Sequence, residues 1–507
     1  MRDLCRDMRD GSQPQAEPAR ASLTIADMSE LLPTASDGDC DCDIAIVGGG
    51  AAGILVALQL LRQATHALRL QLIEPQAALA QGVAYATPCA EHLLNVPAGR
   101  MSAFADLPDD FLDWLQQQAL YPALERSALA QAYVQRRHYA EYLRARLVQA
   151  HAASPAQLQW RQERVLALDR DDRGQALRLQ DGTTLRAQAT VLALGNSLRP
   201  LPARGASSLP AQARVDAWNH AQLRAIPREA TVCIVGAGLS MVDSVLTLLA
   251  NAHRGPVHVI SRHALLPLPH VAHADHADHA AADFDPQPLL ALPLRQRLRA
   301  LRRHAAAAQA RGLPWQTVMD RLRPLGQALW QSLPAIEQRR FLRHAVRYWD
   351  VHRHRIAAPV FDQLQAMRQV GQLRVHRARL DTVFPVGACV QVNAVGPDGL
   401  ALQLDAHYLV NATGVELRAQ TMRSPLLHQL LGCGHAMPGP HGIGVATAPD
   451  GALLDADGHA DARIRVLGSL RIGSLWESLA IPELRVQAQQ QAQALLCELP
   501  PASGGMQ

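Results

Sequence analysis

Two glycine-rich loops, each between a short apolar strand and an apolar helix, restrict the possible folds of this 507-residue chain more than any other feature. The first loop reads G-x-G-x-x-G, with Gly48, Gly50 and Gly53 at its glycine positions. In such a loop the first glycine makes a tight turn, the second lets a diphosphate approach the backbone, and the third lets the helix pack on the strand. A second strand ends in Glu74, 26 residues after Gly48, where a carboxylate can accept hydrogen bonds from a ribose diol. The combination predicts a dinucleotide-binding βαβ unit rather than an ordinary glycine-rich turn.

The second loop has the same order of elements, with Gly236 and Gly238 at the first two glycine positions and Met241 at the third. We expect Met241 to hold helix and strand slightly farther apart, while Ser240 and the two glycines remain available to a diphosphate. The position that corresponds to the carboxylate of the first unit is Arg262, and a guanidinium there suits a 2′-phosphate. The two units are therefore predicted to bind different dinucleotides. The alternative is that this arginine simply ends a strand in solvent.

Two further apolar stretches that are predicted to be strands are followed by a glycine, at residues 190–195 and 408–414. In flavoproteins with two dinucleotides, turns of this kind mark the crossings between two domains. We predict an α/β fold with two Rossmann-like dinucleotide-binding domains, the nicotinamide domain being inserted into a split FAD domain. The expected parts are a disordered N-terminal tail (1–40), the first part of the FAD-binding domain (41–203), an NAD(P)-binding domain with an Arg-rich helical insertion (204–373), and the second part of the FAD-binding domain (374–507).

The composition excludes several classes of function. All 49 basic residues are arginine, so the lysine-dependent chemistry of P-loops, pyridoxal enzymes and Schiff-base aldolases is excluded. A net charge of +4 and an aromatic content of 4% do not predict a nucleic-acid binder. The eight cysteines include no C-x-x-C pair, which favours free thiols in a reducing cytoplasm. No signal peptide is expected, because the first forty residues contain no basic segment followed by an apolar one. No membrane partner is expected either, because the first glycine-rich unit accounts for the long apolar run at 44–61.

A histidine run follows the second unit. His270, His273, His276 and His279 recur at every third residue in an Ala/Asp context. Four imidazoles are able to bind a transition metal, but this register spreads them around a helix and no partner cluster occurs elsewhere. We therefore predict a loop and no functional metal.

Three stretches of the sequence resemble a known family. They contain QGVAYAT, HLLNVPAGRMSAF and DDFLDWL within 81–115, WDVHRHR at 349–355, and GSLRIGSLWESLAIPELR at 468–485. These stretches are similar to the bacterial FAD/NAD(P)-binding proteins that include the FAD-dependent urate hydroxylase and the aspartate N-monooxygenase. The resemblance extends over nearly all of residues 42–496, and the urate hydroxylase is judged the nearest member.

The resemblance implies a FAD-dependent monooxygenase that consumes NADH or NADPH. In the implied cycle, the reduced flavin takes up O₂ at C4a and the C4a-hydroperoxyflavin transfers one oxygen atom to a small-molecule substrate. For urate the product would be 5-hydroxyisourate, in purine catabolism, and N-hydroxylation of an amino acid or another amine is the alternative. A flavin reductase or dehydrogenase and a non-catalytic FAD-binding sensor remain open as other classes. The resemblance to urate hydroxylase implies NADH, whereas Arg262 favours NADPH.

The resemblance also implies candidate site residues. The segment with Asn95, Arg100 and Met101 is expected to pass along the flavin, with Met101 as a FAD contact. Asn95 is a candidate hydrogen-bonding group towards flavin or substrate, and a loop residue that satisfies backbone groups is its alternative. Arg100 is a candidate ligand of a diphosphate or a substrate anion.

The last candidates lie in the second half of the chain. Arg353 and Arg355 are candidate anion ligands, with structural ion pairs as the alternative. Trp476 and the glutamate after it precede the C-terminal helix, so backbone N–H groups there are expected to face the flavin. The glutamate is equally explained as an acid that complements the dipole of this helix.

Overall fold

The computed structural model describes residues 41–171, 174–271 and 284–499, which all lie within one unit at 38–507. The tail at 1–40, for which the sequence predicts disorder, lies outside the described residues, as do His273, His276 and His279 of the histidine run. The strands are β1 (Cys42–Val47), β2 (Arg69–Ile73), β3 (Gln157–Arg161), β4 (Val165–Asp171), β5 (Gly174–Leu179), β6 (Thr184–Leu192), β7 (Ser197–Leu198), β8 (Arg214–Asp216), β9 (Val232–Val235), β10 (Val257–Ser261), β11 (Leu373–Arg377), β12 (Arg379–Val386), β13 (Cys389–Val395), β14 (Ala401–Ala406), β15 (Tyr408–Asn411), β16 (Val415–Glu416), β17 (Ala452–Leu454) and β18 (Ala460–Val466). The α-helices are α1 (Ala51–Gln63), α2 (Asp110–Gln117), α3 (Arg126–Gln131), α4 (Arg136–Ala153), α5 (His220–Arg224), α6 (Leu239–Ala250), α7 (Leu294–Ala310), α8 (Gln316–Leu322), α9 (Gly326–Gln331), α10 (Ala335–His344), α11 (Val346–Arg353), α12 (Ala358–Gln369), α13 (Pro425–Gly432), α14 (Ile472–Leu475) and α15 (Ile481–Glu498).

The first glycine-rich unit lies at the centre of an eight-stranded sheet. Its strand order is β17-β18-β6-β1-β2-β3, with the hairpin β4–β5 joined to β6. The strands from β18 to β3 in this order run parallel. β1 is almost continuously apolar because it is buried between β2 and β6, and α1 is buried against α4 and α15. The apolar run at 44–61 is therefore a strand and a core helix.

No helix in the described parts of the chain combines the length and the apolar character needed to cross a membrane.

The second glycine-rich unit forms a separate sheet, in which all five strands run parallel in the order β11-β10-β9-β15-β8. Its central strand β9 is buried at every position. Side chains of α6 and α12 pack with β9 and β10 in one core. The fold class predicted from the sequence is thereby confirmed, because a second dinucleotide-binding sheet is inserted between the parts of the first.

Two short crossing segments connect the sheets. β6 leads through a left-handed turn at Gly195 into β7, and β15 leads through a similar turn at Gly414 into β16. β7 and β16 pair antiparallel, and the Arg199 N–H donates to the Gly414 carbonyl at 3.0 Å. Because β15 belongs to the second sheet, the chain returns to the first sheet only after Asn411. We therefore propose that the inserted domain extends beyond the expected boundary at residue 373 to the end of β15.

The Arg-rich insertion forms the helices α7 to α11, of which α7 is the longest with 17 residues. Part of its core is an aromatic cluster in which Trp330 and Phe341 of the insertion pack against Trp476 of the C-terminal segment. The three-stranded antiparallel sheet β12-β13-β14 follows on the same inserted domain. The insertion thus contacts the segment that leads into the last helix, α15.

The close approach at Gly48 yields a stability prediction. Gly48 has φ +110°, and a Cβ atom there would lie 2.2 Å from the Ala193 carbonyl oxygen. Gly182 also has a positive φ, +87°, but a Cβ atom there would meet nothing within 4 Å. We expect Gly48→Ala to lower the free energy of unfolding by about 3 kcal/mol or more, and Gly182→Ala by about 1 kcal/mol. Urea unfolding of both variants measures the difference, and equal losses would contradict the role of the close approach.

Candidate functional site

The first glycine loop has the geometry that its sequence predicts. A Cβ atom on Gly53 would lie 1.8 Å from the Gly48 carbonyl oxygen, so only glycine lets α1 begin this close to β1. Gly50 differs, because the nearest atom to a Cβ there belongs to Gly82 at 3.7 Å. Its free side is where a diphosphate has room to approach. The first turn of α1 carries no acid and Gly50 provides no side-chain cap, so the N–H groups of this helix end are available to an anion.

Glu74 lies beside this loop, directly after β2. Its Oε2 accepts a hydrogen bond from the Gly49 N–H at 2.7 Å, and its Oε1 accepts one from the Gln76 N–H at 2.9 Å. The carboxylate is half-buried and fixed at the rim of the loop. This is the position from which an acid of this fold meets the ribose hydroxyls.

The second loop repeats the close approach. Gly236 has φ +109°, and a Cβ atom there would lie 2.1 Å from the Ala412 carbonyl oxygen, whereas Gly238 has open space at its Cβ position. Ser240 lies in the first turn of α6, and its Oγ accepts a hydrogen bond from the Trp218 indole at 3.3 Å. Met241, at the third glycine position, is fully buried. The phosphate-facing side of this loop is therefore open as well.

Arg262 lies at the end of β10 with its side chain exposed. Other arginines lie near it. The pKa of His263 is lowered by burial first and then by the charges of Arg262, Arg347 and Arg377. We name Arg262, Arg347 and Arg377 the arginine group. Arg347 also pairs with the Asp350 carboxylate at 3.0 Å, so the positive charge of Arg262 and Arg377 is what suits a phosphate monoester better than a neutral hydroxyl.

The structure brings Asn95, Arg100 and Arg353, the candidates for a role in catalysis, into one region. The Asn95 carbonyl oxygen accepts a hydrogen bond from His270 Nε2 at 3.1 Å, and the His270 ring stacks on Tyr133 with centroids 4.8 Å apart. Burial lowers the pKa of His270 to about 4, and the charge of Arg353 acts in the same direction. Arg100 is exposed at the end of a short 3₁₀ turn, and its charge acts on Tyr133. His270 is the member of the histidine run that the structure describes, and it contacts Asn95 in the segment that is expected to pass along the flavin.

Met101 and Trp476, the two further FAD candidates, are both buried. Trp476 and Glu477 are consecutive non-glycine residues with φ of +40° and +44°, a conformation that costs energy and requires firm support from its surroundings. The Trp476 ring stacks on Trp330, with centroids 4.9 Å apart. Backbone strain of this kind is concentrated at binding sites.

Glu477 is the most strongly bound carboxylate of the region. Its Oε1 accepts a hydrogen bond from Trp349 Nε1 at 2.6 Å and lies 3.4 Å from His354 Nε2, while its Oε2 pairs with Arg353 Nε at 3.1 Å. Burial alone would raise the pKa of Glu477, but His354, Arg353 and Trp349 outweigh it and hold the pKa at about 2. Glu477 in turn outweighs the effect of burial on His354 and raises its pKa. Glu477 therefore connects the C-terminal segment to α11. This role is larger than the one considered from the sequence, in which the glutamate only complements the dipole of the C-terminal helix.

Arg353 and Arg355 both form ion pairs. Such structural ion pairs are the alternative to their role as ligands of a bound anion. Arg353 binds Glu477, and Arg355, which is buried, binds Asp320. Their guanidinium groups already have carboxylate partners.

Several buried polar atoms near the C-terminal segment have no hydrogen-bond partner within the described residues. They are Trp476 Nε1, Ser478 Oγ, Glu483 Oε2, Arg485 Nε and Gln487 Oε1. Buried donors and acceptors are normally satisfied. A polar ring system that contacts this segment would complete them, and the residues present therefore fit a flavin.

One group of metal-ligating side chains is found among the described residues. Asp455, Asp457 and His459 have ligand atoms within 4.8 Å of one another, but the aspartate at 457 and the histidine are exposed. They lie in the turn between β17 and β18, apart from the histidine run.

The sequence did not reveal a buried contact between the first glycine-rich half of the chain and helix α6 of the second glycine-rich unit. His92 accepts from the Thr87 hydroxyl at Nδ1 (2.6 Å) and donates through Nε2 to the Asp243 carbonyl at 2.9 Å. Arg136 binds the Asp243 carboxylate at 2.7 Å and the Leu93 carbonyl at 2.7 Å. We name this the α6 contact. Its two links to Asp243 join residues more than 100 positions apart in the chain, and no local pattern relates them.

The chain matches a family model described as FAD-NAD(P)-binding over residues 45–197. This range begins in β1, contains the first glycine loop and Glu74, and ends at the first crossing. The expected cofactors, FAD with NADH or NADPH as co-substrate, agree with this match. No curated protein matches the chain.

Solved structures of flavin monooxygenases match over most of the chain. An ornithine N-hydroxylase of Kutzneria sp. 744 matches with a TM-score of 0.62 and 14% identity, over 90% of this chain and 99% of that one. The ornithine hydroxylase of Pseudomonas aeruginosa matches with a TM-score of 0.61 and 15% identity, over 90% and 100%. L-lysine 6-monooxygenase of Pseudomonas syringae matches with a TM-score of 0.55 and 16% identity, over 90% and 100%. The protein thus has the two-domain fold of flavoproteins that bind FAD and a nicotinamide dinucleotide.

The low pKa of Glu477 predicts a pH-dependent contribution to stability. A carboxyl group with a folded-state pKa of about 2 and an ordinary value of 4.5 stabilises the fold above pH 4.5 and loses this effect as the pH falls towards 2. We expect Glu477→Gln to lower the free energy of unfolding at neutral pH by up to about 3 kcal/mol. The difference from the unmodified protein should shrink below pH 4.5.

Urea unfolding between pH 2.5 and 7 measures this difference. The exposed Glu229→Gln is the matched control and should change stability little at any pH. A Glu477→Gln penalty that stays constant down to pH 2.5 would contradict the ion-pair explanation.

Proposed function

We propose that this protein is a FAD-dependent monooxygenase that consumes NADPH and O₂ and hydroxylates the nitrogen atom of an amine. The observation that carries the cofactor requirement is the pair of open glycine loops: Glu74 lies beside the first, and the exposed Arg262 follows the second strand of the other unit. The first arrangement suits the free ribose diol of FAD and the second the 2′-phosphate of NADPH. In the proposed reaction, R–NH₂, O₂, NADPH and H⁺ give R–NHOH, NADP⁺ and H₂O.

When FAD is bound, it accepts hydride from the nicotinamide and activates O₂. The side chains and backbone of the protein bind and orient it. The N-terminal N–H groups of α1 would hold the diphosphate, Glu74 would accept from the ribose, and the buried polar atoms of residues 476–487 that lack a partner among the described residues would bind polar groups of the flavin ring. The segment with Asn95, Arg100 and Met101 remains the proposed contact along the flavin.

Two observations favour an amine over the urate that the sequence resemblance implied. Arg353 and Arg355 each bind a carboxylate, so neither is an unpaired ligand for an anionic, amide-rich substrate. The solved structures named above are hydroxylases of ornithine and a monooxygenase of lysine, and amines are their substrates by title. N-hydroxylation is therefore preferred to urate hydroxylation in purine catabolism.

We further propose that the protein works in the cytoplasm with its cysteines reduced. No disulfide joins the six cysteines of the described residues, and Cys42, Cys89 and Cys233 are buried.

The proposed activity predicts coupled consumption of both co-substrates. Purified protein loaded with FAD should consume NADPH and O₂ faster on addition of an amine, with a hydroxylamine as the product. Consumption measured by absorbance and an oxygen electrode, with mass spectrometry of the product, tests this. Stimulation by urate alone would favour the urate alternative, whereas amine-dependent NADPH oxidation without O₂ uptake would favour a reductase.

The arginine group predicts the choice of nicotinamide. Arg262→Ala should raise KM for NADPH about tenfold, because a lost charged hydrogen bond to phosphate costs about 1.5 kcal/mol, and should leave KM for NADH nearly unchanged. Arg254→Ala, which removes an exposed arginine before β10, is the control and should change neither value. An equal rise in KM for NADPH and NADH would contradict the proposal that Arg262 binds the 2′-phosphate.

A further inference from the structure

A tryptophan outside both glycine-rich loops contacts the second one. Trp218 lies two residues after β8, at the carboxyl end of that strand. Because β8, β15 and β9 run parallel, this is the edge of the sheet at which the second glycine loop follows β9. The strand order changes direction between β9 and β15, and open parallel sheets bind their ligands at the carboxyl edge beside such a point. Trp218 therefore borders the expected dinucleotide site.

The protein itself holds the indole ring in place. The Ala217 N–H, just before it, donates to the Asn411 carbonyl of β15 at 3.1 Å. The half-buried ring of Trp218 packs against the apolar core that α6 shares with β9 and β10. Its N–H group donates to the Ser240 hydroxyl oxygen at 3.3 Å. A fixed donor is thus aimed at a side chain in the first turn of α6.

The chemistry of this contact decides where the serine proton points. A hydroxyl group has one proton to donate, whereas an indole N–H is only a donor and cannot accept that proton. The contact with Trp218 therefore occupies an acceptor position of the Ser240 oxygen and directs the proton away from the ring.

The usual internal acceptor for this proton is missing. Inside a helix, a serine hydroxyl can donate to the carbonyl four residues earlier, as Ser244 does to Ser240 at 2.8 Å. The residue four positions before Ser240 is Gly236, which lies outside the helix with φ +109°. Among the described residues, the Ser240 hydroxyl has a donor in Trp218 but no acceptor. Its proton is therefore available to a ligand.

This proton belongs to the end of α6 that is open to an anion. Gly238 provides no side-chain cap and the first turn contains no acid, so the first N–H groups of the helix have no partner within it. Ser240 is the second residue of α6. A diphosphate that accepts from these N–H groups would also be within reach of the hydroxyl. Its proton would then form a hydrogen bond to a charged acceptor, which is the stronger kind.

The first glycine-rich unit lacks this arrangement. The position that corresponds to Ser240 is Ala52, the second residue of α1, which has no hydroxyl group. A Cβ atom on Gly468 would lie 3.4 Å from the Ala52 side chain, so the C-terminal segment approaches α1 there. In the second unit an indole donor lies against the corresponding helix position instead. The tryptophan–serine pair is therefore a feature of the unit assigned to the nicotinamide dinucleotide.

We propose that Trp218 is a positioning residue of the nicotinamide site, which orients the Ser240 hydroxyl so that it donates to the diphosphate of the dinucleotide. The proposal rests on the proposed function and specifies how the co-substrate of that reaction is held. NADPH and NADH contain the same diphosphate, so the role of Trp218 is independent of the 2′-phosphate role of Arg262.

A double-mutant cycle on the FAD-loaded protein tests this role by isothermal titration calorimetry with NADP⁺, or with NAD⁺ if that binds more tightly. Ser240→Ala should weaken binding about tenfold, because a hydrogen bond to a charged acceptor is lost. Trp218→Phe removes the donor but keeps an aromatic ring, and should weaken binding about threefold. In the Ser240→Ala background, Trp218→Phe should have no further effect, because the group through which it acts is absent. Equal losses in both backgrounds, or no loss in either, would overturn the proposal.

Two controls separate this role from general damage to the fold. The adenosine fragment without the diphosphate (adenosine 2′-phosphate, or adenosine in the case of NAD⁺) should bind equally well to Trp218→Phe and to the unmodified protein. Trp114→Phe removes a buried indole from the aromatic cluster with Phe111 and Tyr142, and should leave dinucleotide affinity unchanged. A loss for the fragment as large as for the dinucleotide, or an equal loss in Trp114→Phe, would overturn the proposal.

An observation on the unmodified tryptophan replaces the variant if Trp218→Phe does not fold. When the Ser240 hydroxyl donates to a diphosphate, its oxygen becomes a stronger acceptor, because linked hydrogen bonds polarise one another. The dinucleotide should therefore move the indole N–H proton resonance of Trp218 downfield in the isotope-labelled, FAD-loaded protein. The shift should be absent in Ser240→Ala. An unmoved resonance, or the same shift in Ser240→Ala, would overturn the proposal.

The proposed function and the role of Trp218 fail separately. If no amine stimulates NADPH and O₂ consumption but the cycle gives the expected coupling, N-hydroxylation fails and the role of Trp218 stands. If amines stimulate consumption but the losses in affinity are additive, the proposed function stands and the role of Trp218 fails.

Discussion

Two backbone contacts that exclude any side chain hold both dinucleotide loops in place. Gly48 lies against the carbonyl of Ala193, and Gly236 lies against the carbonyl of Ala412, each at a distance that a Cβ atom would not permit. Ala193 follows β6 and Ala412 follows β15, which are the strands that lead into the two crossings. Each loop therefore rests on the strand that carries the chain to the other sheet. Because β7 and β16 pair with each other, the strands that support the two loops are also connected through the crossings.

The buried carboxylate of Glu477 has a comparable role for the helical insertion. An isolated carboxylate in this position would be costly, and its three donors all come from the segment 349–354. The insertion and the C-terminal segment therefore stabilise the same charge, and neither satisfies it alone. Besides His354, the partners of this carboxylate are the planar guanidinium group of Arg353 and the indole N–H of Trp349, which hold it in a defined orientation.

The sequence predicted the loops well because their geometry is local. Gly48, Gly53 and Glu74 lie within one βαβ unit, and their spacing alone determines how they meet. The fold class followed from the second copy of this pattern and from the two strand–glycine turns. By contrast, the partners of Glu477, the stacking of Trp330 on Trp476 and the α6 contact join residues more than 100 positions apart, and no periodicity relates them. The position of β15 in the second sheet was missed for the same reason, since strand pairing depends on distant hydrogen-bond partners.

The crossings also have a dynamic consequence. Two strands of two residues each make a very short ladder, and the side chains of Asn411 and Thr413 add hydrogen bonds to the Arg199 carbonyl there. The α6 contact is a second connection, which joins the first glycine-rich half to the helix of the second loop. Rotation of one sheet relative to the other would have to separate Arg136 from Asp243, whose side chains are 12% and 18% exposed. Because so enclosed a pair is screened poorly by salt, the rate of this rotation would depend only weakly on ionic strength.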